Sequence, residues 1–90
     1  MNEKENSLFI LDDDVIFCKR LQTAMDRKGF FSYGASSIQE AKEILKDKIP
    51  KYAVIDLRLD DGNGLEIVSL INKKSPESKI VMLTGYGNIP

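Results

Sequence analysis

The 90-residue sequence predicts a single α/β domain built on a parallel sheet. Three observations carry this. The apolar runs Leu8-Phe9-Ile10-Leu11 and Tyr52-Ala53-Val54-Ile55 are continuous rather than alternating, the mark of strands buried on both faces. Stretches with helical spacing of apolar residues separate the strand-like runs, so strand and helix alternate as in βαβ units with right-handed crossovers. Both quoted runs also lead into carboxylates: Asp12-Asp13-Asp14 after the first and Asp56 after the second. Folds of this class bind ligands at the carboxyl edge of the sheet.

The elements follow in order. Residues 8–12 form the first strand. Residues 14–28 carry Phe17, Cys18, Leu21, Ala24 and Met25 as an apolar helical stripe, with Asp14 as the N-cap. The basic pair Arg27-Lys28 followed by Gly29 is a helix stop. Residues 30–35 read as the second strand. Ser37-Ile38-Gln39-Glu40 has capping-box spacing, so a second helix runs from Ile38 to about Asp47 with Ala41, Ile44 and Leu45 on its buried face. Pro50 breaks the chain before the third strand, residues 52–56. In the turn-rich stretch Asp60-Asp61-Gly62-Asn63-Gly64, the two aspartates read as turn residues and the two glycines as positions of positive φ. Residues 65–71 form a third helix that Ser75-Pro76 ends, and residues 79–83 make a fourth strand leading to Thr84-Gly85.

Composition narrows the function classes. A 42% hydrophobic content suits one core at the small end of the domain range. The net charge of -1 offers no basic field for nucleic acid or for an anionic membrane. No apolar run is long enough to span a membrane, and residues 1–7 are polar, unlike a signal peptide. The single cysteine, Cys18, lies on the apolar stripe and reads as core, so no internal disulfide forms and a cytoplasmic setting is expected. Histidine is absent, which excludes histidine-based triads, His-ligated zinc and a role as phosphohistidine donor.

If the first and third strands are neighbours, they lie about 4.8 Å apart, and Asp12, Asp13 and Asp56 crowd together. Like charges at that range raise one another's pKa. A hard divalent cation, Mg2+ above all, is the usual compensation. The plainer role for a run of aspartates is a solvated turn or a helix cap, and Asp14 fits it.

The succession of an apolar strand with Asp12-Asp13, then Asp56-Leu57-Arg58-Leu59-Asp60-Asp61-Gly62-Asn63-Gly64-Leu65, then Val81-Met82-Leu83-Thr84-Gly85 resembles the receiver domain of two-component response regulators. The resemblance covers the whole chain. More narrowly, it is similar to the bacterial redox-responsive transcription regulators, in which a receiver is joined to a helix-turn-helix DNA-binding domain. The resemblance implies a flavodoxin-like three-layer α/β/α fold with sheet order 2-1-3-4, truncated before the fifth strand; that order comes from the family and not from the residues. It implies Asp56 as phosphoacceptor from a sensor histidine kinase. It further implies Mg2+ held by Asp12, Asp13, Asp56 and the backbone carbonyl of Arg58, with Thr84 beside Gly85 as the switch hydroxyl. Such a chain is no enzyme beyond its own phosphotransfer and dephosphorylation, and it meets DNA only through a domain absent here.

Family members also carry a fifth strand ending in a lysine, and this sequence supplies none at that place; Lys79 stands at the wrong end of the fourth strand. Residues 1–90 therefore read as a C-terminally incomplete receiver. Val81 and Leu83 are expected on an unpaired edge, which leaves a chain of these residues either marginally stable or self-associated, as a homodimer or an element-swapped oligomer. Two alternatives stay open. Ile10-Leu11-Asp12-Asp13-Asp14-Val15 also fits the start of haloacid-dehalogenase-like phosphatases, with Asp12 as nucleophile and Asp14 as general acid, although Asp56 and its glycine-rich loop are then unexplained. Alternatively, the domain is a receiver-like scaffold that takes no phosphate and works through protein contacts.

Overall fold

The computed structural model describes residues 5–83. In chain order the elements are β1 (Ser7–Leu11), α1 (Val15–Arg27), β2 (Phe31–Ala35), α2 (Ile38–Leu45), β3 (Tyr52–Asp56), β4 (Arg58–Leu59), β5 (Gly62–Asn63), α3 (Leu65–Lys74) and β6 (Lys79–Leu83). Four strands form a parallel sheet in the order β2-β1-β3-β6, while β4 and β5 make a separate antiparallel hairpin. With the hairpin set aside, this is the predicted order 2-1-3-4.

The sheet is covered on both faces. Side chains alternate along a strand, so Phe9 and Leu11 of β1 point one way, into a core shared with Ile38, Ala41 and Leu45 of α2 and Ile67 and Ile71 of α3. Leu8 and Ile10 point the other way, against Cys18, Leu21 and Met25 of α1. Phe9, Ile10 and Leu11 are all fully buried, which explains why the run is continuous rather than alternating. Each such side chain contributes about 1.5–3 kcal/mol by its burial.

The signals at the helix ends act as expected. Asp14 Oδ1 accepts the Phe17 N–H at 3.0 Å. At the other end of α1, Gly29 N–H donates to Asp26 O and Phe30 N–H to Met25 O, each at 3.1 Å, with Gly29 at φ 101°. This is a Schellman stop, and only glycine takes that φ without strain. Open space surrounds the place where a Gly29 Cβ would stand. Gly29→Ala therefore has a purely conformational penalty, and denaturant unfolding should show a loss of about 1 kcal/mol.

Several local expectations are corrected. Only part of the α1 stripe is covered: Cys18 is buried and Leu21 and Met25 are half-buried, but Phe17 and Ala24 are exposed. Among the described residues α1 alone covers the Leu8 and Ile10 face, so just one side of its stripe finds a partner. α2 stops at Leu45, short of Asp47, and α3 runs past Ile71 to Lys74. Ser37 Oγ accepts the Glu40 N–H at 3.1 Å as a capping box requires. Glu40 Oε1, however, reaches back one residue further, to Ser36 N–H at 2.7 Å and Ser36 Oγ at 3.1 Å. Asp60 and Asp61 do occupy a turn, and Gly62 does have a positive φ, 149°. Gly64 does not. Its φ is -61°, and glycine is needed because a Cβ would overlap the Asp56 carbonyl oxygen and lie 2.9 Å from Ile55 Cγ2.

Candidate functional site

β1 and β3 are adjacent and parallel, with Leu11 opposite Ile55. Asp12, the residue after β1, and Asp56, the last of β3, therefore meet at the carboxyl edge of the sheet. Both are 7% exposed, and Asp13 is half-buried beside them. Each of the three offers a carboxylate oxygen, and these oxygens lie within 4.8 Å of one another.

Backbone groups hold the two buried carboxylates in the same manner. Asp12 Oδ1 accepts the Asp14 N–H at 2.9 Å, and Asp56 Oδ1 accepts the Arg58 N–H at 3.0 Å. Both are side-chain turns across two residues, which fix the carboxylate plane against the strand end. Pairing with β2 continues one residue beyond β1, since Asp12 N–H donates to Ala35 O at 3.1 Å. Burial pushes the Asp12 pKa up from the ordinary carboxylate value. The bond from the Asp14 N–H opposes that rise, and the negative charges of Asp56, Asp13 and Asp14 add to it. Three carboxylates thus share one corner and repel one another. An oxygen-only, anionic donor set of this spacing suits a hard divalent cation and not a soft metal.

Arg58 opens β4 next to Asp56, opposite Asn63 across the hairpin. The hairpin is rooted at the site: Leu57 N–H donates to Leu83 O at 2.9 Å, and Gly64 N–H to Leu57 O at 3.0 Å. Asp14 stands apart from the trio, exposed, with its carboxylate engaged in capping α1. Lys79 opposes Tyr52 at the other end of β3, as expected. Thr84 and Gly85 lie outside the described residues.

One functional candidate escaped the sequence. Asp61, at the tip of the hairpin, accepts the Ile38 N–H on Oδ1 at 3.0 Å and the Gln39 N–H on Oδ2 at 3.2 Å. The bond from Ile38 leads the causes that hold its carboxyl below the usual range. It caps α2 from 23 residues away, and no local pattern announces such a bond.

Residues 8–90 match the response regulator receiver domain family. The photosynthetic apparatus regulatory protein RegA of Rhodobacter capsulatus is 48% identical over 85 residues, which cover 94% of this chain and 46% of RegA. The acid tolerance regulatory protein ActR of Rhizobium meliloti (strain 1021) is 45% identical over 85 residues, covering 94% of this chain and 44% of ActR. The chain spans about half the length of these curated relatives. A crystal structure of a response regulator from Burkholderia pseudomallei, with a phosphorylated aspartic acid, calcium ion and citrate, matches with a TM-score of 0.84. Its identity is 25%, over 93% of this chain and 49% of that one. Among the described residues no helix is long and apolar enough to cross a membrane. A family match that runs through nearly all of the sequence and a shared fold leave the phosphatase alternative without support, and this chain belongs to the response regulator receiver domains.

Proposed function

We propose that this domain accepts a phosphoryl group on Asp56 from a phosphohistidine of a sensor histidine kinase. Asp12, Asp13, Asp56 and the backbone carbonyl of Arg58 hold Mg2+ for the transfer. The observation that carries this is the convergence of three carboxylates within 4.8 Å at the sheet edge of a receiver domain. When bound, Mg2+ neutralises the phosphoryl oxygens against the carboxylates around them.

The chain's own groups do the positioning. Arg58 N–H anchors Asp56 Oδ1 at 3.0 Å, which fixes the carboxylate and leaves Oδ2 to attack phosphorus. The new O–P bond forms as the P–N bond breaks, and the imidazole leaves with the electron pair and takes up a proton. Asp12 and Asp13 supply fixed negative charge that favours cation capture. No other group on the chain needs to react, so its catalysis is confined to its own phosphotransfer and dephosphorylation.

Thr84, with Gly85, is the switch hydroxyl in this scheme, and it follows Leu83, the residue opposite Asp56 in the sheet. Residues 1–90 are then receiver sequence, acting in the cytoplasm on an output domain beyond them. That output is transcriptional in this scheme, as the resemblance to the redox-responsive transcription regulators implies, and contact with DNA runs through it; RegA and ActR are regulatory proteins about twice as long. Self-association of copies, by edge pairing or exchange of elements, belongs to the same scheme.

Incubation with a small acyl-phosphate donor and Mg2+, followed by peptide mapping in a mass spectrometer, tests the assignment. The expected adduct is one phosphoryl group on Asp56, which does not form when the cation is chelated before the donor is added. An adduct on Asp12 would overturn it. Absence of any adduct would favour the scaffold that works through protein contacts alone.

A further inference from the structure

We propose that Asp61 is a positioning residue for the phosphorylation site: its carboxylate pins the tip of the β4–β5 hairpin onto α2 and so fixes the backbone of Arg58 against Asp56. This rests on the function proposed above, and it concerns a residue that lies outside the carboxylate trio.

A hairpin with two paired residues per strand does not hold its own shape. Its root is tied at Leu57 and Gly64, and its tip needs a second anchor. Asp61 provides it through the two bonds to Ile38 and Gln39, at 3.0 and 3.2 Å. Packing supplies an independent contact at the same place, since a Cβ on Gly62 would come within 2.8 Å of Ile38 Cδ1. The first N–H groups of a helix lack intrahelical partners and sit at its positive end, so a carboxylate is the favoured occupant.

α2 is itself a fixed support. Ser37 caps it locally, Lys42 pairs with Glu66 of α3 at 2.5 Å, and Lys74 Nζ donates to Leu45 O at 2.8 Å. Polar ties thus hold α2 at both ends and in the middle. Arg58 sits in the same short hairpin as Asp61. Its N–H holds Asp56 Oδ1, and its carbonyl is the proposed cation ligand. Freed at the tip, β4 tilts, and both backbone groups leave their places.

The competing role for Asp61 is that of a plain helix cap, and Ser37→Ala separates the two. That variant weakens the same end of α2 without touching the hairpin. Amide hydrogen exchange at Arg58 is read without cation or donor, and the half-saturating Mg2+ concentration is read from phosphorylation. Asp61→Ala should raise both by about tenfold, the low end of what lost outer-shell support does to a metal site, while Ser37→Ala leaves both near wild type. Asp61→Asn keeps an oxygen acceptor for one N–H and should restore most of the Arg58 protection. Equal shifts in Asp61→Ala and Ser37→Ala, or unchanged Arg58 exchange in Asp61→Ala, would overturn the proposal. Should wild type take no phosphoryl group on Asp56, the function assigned above fails, and the exchange comparison still decides the role of Asp61.

Discussion

Asp56→Asn is expected to abolish phosphoryl acceptance, by at least about 10^4-fold, while the domain stays folded. An amide oxygen is a far weaker nucleophile than a carboxylate, and no other residue in the trio takes its place at the end of β3. The fold survives because Asn keeps an Oδ1 to accept the Arg58 N–H. Stability should rise, not fall, when no cation is present. Asp12 has its pKa raised above 3.8, by burial first and in part by the charge of Asp56. A folded-state pKa above the unfolded value means that the folded protein binds the proton more tightly. The associated stabilisation is complete below the unfolded value and is lost as pH rises through the folded one. At neutral pH the wild type without cation thus bears the full repulsion, and Asp56→Asn removes part of it. Thermal melts in chelator should place Asp56→Asn at or above wild type at neutral pH, with the gap closing in acid. Added Mg2+ should then raise the wild-type midpoint and leave that of Asp56→Asn nearly unmoved. A variant that melts well below wild type in chelator at neutral pH would contradict the electrostatic account.

Gly64→Ala should be the most damaging single methyl in the domain, with a loss of about 3 kcal/mol or more. The backbone of Gly64 is ordinary, φ -61° and ψ -16°, so conformational strain contributes nothing. The cost is steric. The added Cβ would overlap the carbonyl oxygen of Asp56 and stand 3.0 Å from its carbonyl carbon. Those are main-chain atoms of the central sheet and cannot rotate away. Gly64 cannot retreat either, because its own carbonyl accepts Ile67 N–H at 2.9 Å and Val68 N–H at 3.0 Å at the start of α3. For a domain of this size the loss corresponds to a drop of roughly 15 °C in melting temperature. Gly29→Ala, with space around the methyl but an unfavourable φ, is the contrasting case. Denaturant unfolding of both checks the account, and a change under about 0.5 kcal/mol for Gly64→Ala would refute the close approach.

The sequence alone determined much of what depends on neighbours in the chain. Continuous apolar runs marked β1 and β3, because a strand buried on both faces has no polar side to show. Asp14, Ser37 and Gly29 marked helix ends, because caps and stops are bonds across three to five residues. The carboxylates at the ends of the two runs marked the corner where Asp12, Asp13 and Asp56 converge. Tertiary structure decided the rest. Which face of α1 would be covered depends on the elements beside it, and Phe17 and Ala24 were left exposed by a neighbourhood that their own spacing does not encode. Gly64 is glycine because α3 starts against the Asp56 carbonyl, a contact set by how β3 and α3 dock and not by a turn dihedral. Asp61 looked like any turn aspartate, yet its carboxylate caps α2 from 23 residues away. Bonds within a turn are encoded by local residue type, since the chain brings those atoms together in any case. Contacts between distant segments exist only after the sheet order has placed them, and no short window of residues contains that order.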